Sequence, residues 1–273
     1  MVSNKAKIRE DAMRLNPIDD AMFVKMAEDL GFCEELLQVI LEDKELQILE
    51  NHHQHVVKNL QGRSCTLDLL CRLGTGHTVL VEVQKADDDD HQRRVRYESS
   101  VLTANITDPG TRFEKVPDVI SVFISRFDVF AGSHSTYHVD RVLRETGKVV
   151  ENGAMEIYVN AQIDDGTDIA DLMKVFSEDA AYDDARFPKT SNRKRKFKTT
   201  EEGVSQMCEI IERNRREAAA EALAKGKAEG ELKAKLADAL EMLKDNMPWE
   251  RIHKYTSLSM PQIEQLAREN ALA

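Results

Sequence analysis

The sequence has little that would brace it by covalent cross-links. Its 273 residues include four cysteines, Cys33, Cys65, Cys71 and Cys208, with no CxxC pair and no spacing of a disulfide framework. Reduced thiols in a cytoplasmic protein are the simplest expectation. No apolar run approaches the length of a membrane span. The N-terminal MVSNKAKIRED is charged with no apolar stretch behind it, so no signal peptide is expected. Positive charge is also in short supply: 38 Lys and Arg against 49 Asp and Glu leave a formal net charge of −11. That balance argues against a basic nucleic-acid coat over the whole surface, although a local basic strip occurs late in the chain. What is present is 41% hydrophobic residues, enough for one sizeable core and an appendage.

The most informative stretch runs from Thr66 to Gln84, TLDLLCRLGTGHTVLVEVQ. Period-two alternation on both sides of Gly74-Thr75-Gly76 predicts a β-hairpin with one continuously apolar face. On the other face Asp68 and Glu82 fall among leucines. Two carboxylates brought together in a partly buried place repel each other and lose hydration, so they persist around a cation. A site for a hard divalent metal is one reading; a wet sheet edge with solvated acids is the other, and the hairpin alone does not separate them.

Residues 16 to 42 read as two short helices broken near Gly31 and capped by Asn16 or Asp19. Asp20 then sits in a first turn, where an acid favours the helix dipole. Leu46 to Asn59 predicts a strand; its His52, His53 and His55 lack further partners at zinc-site spacing and are expected to face solvent. Asp87 to Asp90 form an acidic run suited to a loop and helix start. The following helix, from about His91 to Ala104, carries Arg93 one turn before Tyr97, either a surface pair or, beside an acidic metal site, a pair able to hold a phosphate. VPDVISVFISRF at 116 to 127 predicts the central strand. Strands at 136 to 144 and 155 to 160 follow, then a helix at 168 to 176 capped by Thr167. Strands mixed with helices indicate an α/β domain.

After Pro188, Lys189, Arg193, Lys194, Arg195, Lys196 and Lys198 surround Phe197. Such a strip suits either backbone phosphates or a solvated linker. Glu201 to Met247 predicts a long, mostly exposed helix with soft points at Gly226 and Gly230, able to self-associate. Pro248 to Asn270 predicts two short helices, the second opened by a Ser259/Gln262 capping box. The expected division is therefore a domain at 1–200 and a C-terminal helical extension at 201–273.

Several of these stretches in order resemble the recombination-promoting nuclease and transposase family of bacteria, a branch of the PD-(D/E)XK nuclease superfamily. The resemblance covers most of residues 14 to 210. It rests on Asn16-Pro17-x-x-Asp20-x-x-Phe23, Asp68, Glu82-Val83-Gln84, Arg94-Val95-Arg96-Tyr97, PDVISVFISRFDVF at 117 to 130, HVDRVLRETGKVVENG at 138 to 153 and KFKTTEEGVSQMCEI at 196 to 210.

The resemblance implies a restriction-endonuclease-like fold, a mixed central β-sheet flanked by helices, and metal-dependent cleavage of DNA. By position Asp20, Asp68, Glu82 and Gln84 become the catalytic set. Asp68, Glu82, the backbone carbonyl of Val83 and Asp20 become ligands of Mg²⁺ or Mn²⁺. Gln84 stands where the superfamily usually has lysine; it can orient a water but neither carries charge nor moves a proton. Arg93 or Arg96 and Tyr97 would meet phosphate, with Lys194, Arg195 and Lys196 along the DNA. Lys85 is expected on the opposite face from Gln84. Recombination, mobile-element or phage-related processes are the implied setting. The intact acids favour an active nuclease, whereas Gln84 and the net acidity keep open a nuclease fold that binds nucleic acid or a partner without cutting.

Overall fold

A computed structural model describes residues 4–59, 62–88 and 90–270 of the chain; Asp89 of the acidic run and both extreme termini lie outside that set. The chain divides into two compact units, Met1–Ile211 and Glu212–Ala273. No helix among the described residues is long and apolar enough to cross a membrane. No disulfide joins the cysteines.

The first unit is built on six strands: β1 (Ile48–Val57), β2 (Cys65–Leu73), β3 (Thr78–Gln84), β4 (Val119–Ser125), β5 (Thr136–Val139) and β6 (Ala154–Asn160). Their order across the sheet is β1-β2-β3-β4-β6-β5. Strands β1, β2 and β3 pair antiparallel, β3, β4 and β6 run parallel, and β5 closes the edge antiparallel to β6. The sheet is therefore mixed. All seven residues of β4 are buried, as an apolar strand with parallel neighbours on both sides requires. Strand β5 is shorter than the pattern at 136 to 144 predicts; beyond Val139 only the bridge Val142 to Val149 remains, and both of those side chains are about half exposed at 50% and 53%.

The helices of this unit are α1 (Asn4–Met13), α2 (Asp20–Met26), α3 (Leu30–Ile40), α4 (His91–Ile106), α5 (Asp168–Ser177), α6 (Pro188–Thr199) and the start of α7 (Glu201–Lys244). Helix α1 has no clear apolar period, and only Ile8 and Ala12, one turn apart, are buried. The break between α2 and α3 falls at 27–29, with Asp29 capping the Phe32 N–H; Gly31 lies inside α3. One face of the sheet buries Leu69, Val81, Val122 and Val159 against α2, α3, α5, α6 and the first turns of α7. Phe23, Phe32 and Phe176 meet there with ring centroids 6.0–6.4 Å apart. Removing one of these rings should cost about 3–5 kcal/mol. Because Met207 and Ile210 bury in this same core, the unit extends past residue 200. The other face is covered by α4, whose Val101 and Leu102 pack on Leu70, Leu80 and Val119.

Between β2 and β3 the connection turns at Gly76, whose φ of +93° suits glycine. Gly203 answers a different need: a Cβ there would come within 2.1 Å of the Lys196 carbonyl oxygen, so the α6–α7 corner depends on its missing side chain.

The second unit holds the remainder of α7, α8 (Trp249–Thr256) and α9 (Met260–Glu269). Helix α7 passes through Gly226 and Gly230 without interruption. Ala239 and Leu243 bury with Ile252, Leu258, Ile263 and Ala267, so the two short helices pack on the end of α7. Ser257 adopts the left-handed conformation at the end of α8, and Ser259 and Gln262 form the reciprocal capping box of α9.

Candidate active site

The β2–β3 ladder ends at the pair Leu69 and Val81. Beyond it the strands separate, and the side chains of the two acids take over the backbone hydrogen bonding. The Val83 N–H donates to Asp68 Oδ2 at 2.8 Å, and the Asp68 N–H donates to Glu82 Oε1 at 3.2 Å. Each acid thus occupies a backbone donor at the open end of the hairpin. Glu82 is only 1% exposed, which decides against a wet sheet edge, and Asp68 is half-buried.

Asp20 enters from the first turn of α2, close enough for its carboxyl to interact with that of Asp68. The loop before it is held firmly: the Asn16 N–H donates to Asp19 at 2.9 Å, and Lys198 donates to the Leu15 carbonyl at 2.8 Å and Asn16 Oδ1 at 3.1 Å. Burial, and then the charge of Asp20, push the Asp68 carboxyl up to about 7. Burial, Asp68 and Glu98 hold the Glu82 carboxyl well above the usual carboxylate range. These are the conditions under which acids await a cation.

The cation present among them is Arg94. From α4 it donates through Nη2 to Glu82 Oε2 at 2.5 Å, through Nη1 to Gln84 Oε1 at 3.1 Å and through Nε to Glu98 Oε1 at 2.9 Å. Burial works against its charge, and Glu98 and Glu82 more than offset it. Helix phase therefore selects Arg94. Arg93 is directed away, 78% exposed and paired with Asp90, and Arg96 is likewise on the exposed side of α4. In the sequence Arg94 stands within a family-like motif without an evident task, and nothing local marks Glu98; the signal for both is their i,i+4 spacing on one helix.

Tyr97 does not meet the acids. Its hydroxyl donates to the Arg63 carbonyl at 2.5 Å and accepts from Asn59 at 3.0 Å. Lys85 also departs from expectation. Alternation ends with β3 at Gln84, and Lys85 reaches Asp19 Oδ1 at 2.5 Å, beside Asp20. The Gln84 amide nitrogen donates to the Ala86 carbonyl at 3.0 Å and Asp88 at 3.2 Å.

The basic strip is helix α6 and not a linker, and much of it is spent internally. Lys194 is fully buried and donates to the carbonyls of Val175, Glu178 and Ala181, satisfying the end of α5. It is therefore withdrawn from any DNA surface. Arg193 donates to the Lys25 and Met26 carbonyls at the end of α2. Arg195 forks onto Asp184 at 2.8 and 3.0 Å, and Lys196 lies 3.5 Å from Glu202. On β1, His52 and His53 are exposed, and the His52 ring faces His55 at 5.5 Å.

Hard carboxylate oxygens from Asp68, Glu82 and Asp20 are the donor chemistry that Mg²⁺ or Mn²⁺ prefers. Among the described residues, however, no three His, Cys, Asp or Glu side chains are drawn together as a ready-made metal site. The oxygens of Glu82 are engaged by Arg94 and the Asp68 N–H, and Asp68 Oδ2 by the Val83 N–H.

Residues 29–162 match the family model described as PD-(D/E)XK nuclease family transposase, a span that contains Asp68, Glu82, Gln84 and Arg94 and leaves Asp20 before it. No curated protein and no solved structure gives a significant match to the chain. The hairpin acids, the parallel strands beside them and α4 all fall in the matched span, so the part of the chain that carries the site is the part similar to the PD-(D/E)XK nuclease family transposases.

Proposed function

We propose that the protein is a metal-dependent DNA endonuclease that hydrolyses phosphodiester bonds at the open end of the β2–β3 hairpin. The observation that carries this reading is the pairing of Asp68 and Glu82 across the open hairpin end, with Asp20 interacting with Asp68 and both hairpin carboxyls raised by burial and neighbouring charge. In that reading Asp68, Glu82, the Val83 carbonyl and Asp20 would hold Mg²⁺ or Mn²⁺. The ion, when bound, makes water a better nucleophile near neutral pH and stabilises charge developing on phosphate oxygens. Gln84 orients the attacking water through a hydrogen bond, since its amide cannot take up a proton. The match to a nuclease family transposase supports a setting in DNA recombination or mobile-element processes, without implying strand transfer. Residues from 201 onward are proposed to join copies of the chain, because Leu223 and Leu232 stand 75% and 41% exposed on a largely polar helix. Light scattering on the full chain and on a chain ending at Ile211, where the first compact unit ends, tests this, and a monomeric mass for both removes it.

The engagement of Glu82 and Gln84 by Arg94 favours a second reading, a nuclease fold that binds DNA without cutting. Nicking of supercoiled plasmid with Mg²⁺, Mn²⁺ or EDTA, comparing wild type with Asp68→Ala and Glu82→Ala, separates the two. Metal-dependent nicking lost in both variants supports hydrolysis. Equal behaviour of all three proteins with DNA still bound rejects it.

A further inference from the structure

The Arg94–Glu98 pair carries an arrangement that metal binding by acids alone does not require. Glu98 is 6% exposed, and only its Oε1 is used; Oε2 is buried and has no hydrogen-bond partner among the described residues. A buried carboxylate oxygen left unpaired is unfavourable, and such oxygens are rare in folded proteins. The donor that would satisfy it is adjacent. Nε and Nη2 share one edge of a guanidinium, and that edge matches the two oxygens of a carboxylate. In Arg94 the Nε is already on Glu98, while Nη2 is diverted to Glu82 Oε2. The side chain of Arg94 is 30% exposed, so the guanidinium also reaches solvent.

We propose that Arg94 is an exchangeable counter-cation of the acid cluster, which yields Glu82 to the divalent ion and is then held side-on by Glu98 against a DNA phosphate. The proposal rests on the metal-dependent reading above. In the exchange Nη2 passes from Glu82 Oε2 to Glu98 Oε2, which gains its missing donor. Nη1 leaves Gln84, whose amide oxygen becomes available to water. The guanidinium keeps its charge throughout, and the edge not used by Glu98 suits a phosphate oxygen. Glu98 is accordingly a positioning residue, acting on the ion only through Arg94. The exchange accounts for two observations together: the absence of a ready-made metal site and the unpaired oxygen of Glu98.

Mn²⁺ affinity of the full chain without DNA, read from the electron paramagnetic resonance of free Mn²⁺, tests the proposal apart from catalysis. The proteins compared are wild type, Arg94→Met, Glu98→Gln, the double variant and, as control, Asp68→Ala. Arg94→Met should bind Mn²⁺ about tenfold tighter, because the competing cation is gone. Glu98→Gln should bind about threefold weaker, because Arg94 loses the acceptor to which it retreats, and the same change should have no effect in the Arg94→Met background. Arg94→Met binding no tighter than wild type, or a Glu98→Gln effect of equal size with and without Arg94, overturns the exchange. If Arg94→Met does not fold by circular dichroism, Arg94→Lys takes its place: one ammonium cannot span three acceptors, and binding no tighter than wild type again overturns the proposal. If Mn²⁺ binds wild type and Asp68→Ala alike, the metal site itself is lost, and the exchange with it. Loss of binding in Asp68→Ala with additive effects at 94 and 98 rejects the exchange alone.

Discussion

Helix α6 and the open end of the β2–β3 hairpin both gather like charges, and they dispose of them in opposite ways. On α6, Arg193 and Lys194 donate to carbonyls at the ends of α2 and α5, Lys198 fastens the loop before Asp20, and Arg195 forks onto Asp184. Much of a dense basic run is thereby converted into struts, Arg193, Lys194 and Lys198 each filling the valence of carbonyl oxygens at helix ends or in a loop. At the hairpin the acids face one another, their carboxyls are raised, and one guanidinium is divided among Glu82, Gln84 and Glu98. Charge compensated inside the fold serves stability, and charge left under-compensated in a reachable place is what a ligand can use. The two regions also cooperate, since Lys198 on the strut holds the segment that presents Asp20.

The sharpest way to break this contrast is to neutralise a hairpin acid. Glu82→Gln should lower the Mg²⁺-dependent nicking rate by about 10³-fold or more, because the affected interaction serves the ion rather than the fold. Rates on supercoiled plasmid at saturating Mg²⁺ measure it, and a rate within about tenfold of wild type would count against a functional role for the cluster.

The reciprocal change on the strut is Lys194→Met. It should leave three carbonyls, at the end of α5 and in the turn just beyond it, short of a donor and destabilise the protein by about 2–4 kcal/mol, read from the urea midpoint. Burial draws the Lys194 ammonium down to about 8, while its three carbonyl partners favour the charged form; the close oxygens argue that it stays ionised at neutral pH. Weaker DNA binding at unchanged stability would put Lys194 back among contact residues and dissolve the comparison.

Asp68→Asn should separate stability from function in one substitution. The carboxyl rises from 3.8 to about 7 on folding, so between those values the folded chain holds a proton that the unfolded chain has released. Its contribution therefore turns unfavourable as pH rises through that window, is absent below it and is complete above about 7. Asparagine keeps an acceptor for the Val83 N–H and removes the charge. In metal-free buffer the variant should gain about 2 kcal/mol at pH 8, after discounting for partial exposure, and nothing at pH 3. Thermal unfolding across pH measures it, and an equal shift at both pH values would assign the change to packing.

Much of the fold could be read from alternation and caps, because each of those signals is local. The β2–β3 hairpin, the buried β4, Thr167 and the Ser259/Gln262 box all rest on residues within one turn or one strand of each other. The acids were legible as well, since a carboxylate inside an apolar strand is conspicuous wherever it ends up. What the sequence could not supply was pairing at a distance. Lys194 meets carbonyls from residues 175 to 181, and Lys85 meets Asp19, contacts that depend on which helix lies over which strand. The alternatives Arg93 and Arg96 turn on helix phase, where one residue turns a side chain by about 100°, and the guanidinium that faces the acids is that of Arg94. Helix α1 was invisible for a related reason: with Ile8 and Ala12 alone on its apolar side, it owes its helical state to what it packs on.

The smallest expected effect falls on the outer charges of α6. Arg195 and Lys196 are 39% and 42% exposed in their side chains and pair with acids that are themselves exposed. Pairs of this kind contribute about 0–1 kcal/mol, because water competes for both ions and each long side chain must be ordered to meet its partner. Arg195→Ala and Lys196→Ala should each change stability by less than about 1 kcal/mol and DNA affinity by less than about threefold. A filter-binding series from low to moderate salt is the decisive measurement. Should either substitution reduce the salt dependence of binding by about one counterion, that side chain contacts a backbone phosphate in the complex. The carboxylate seen beside it would then be a partner surrendered on binding, as Glu82 is proposed to be for Arg94, and the division between struts and site would run through α6 itself. An unchanged slope leaves the whole helix on the side of the scaffold.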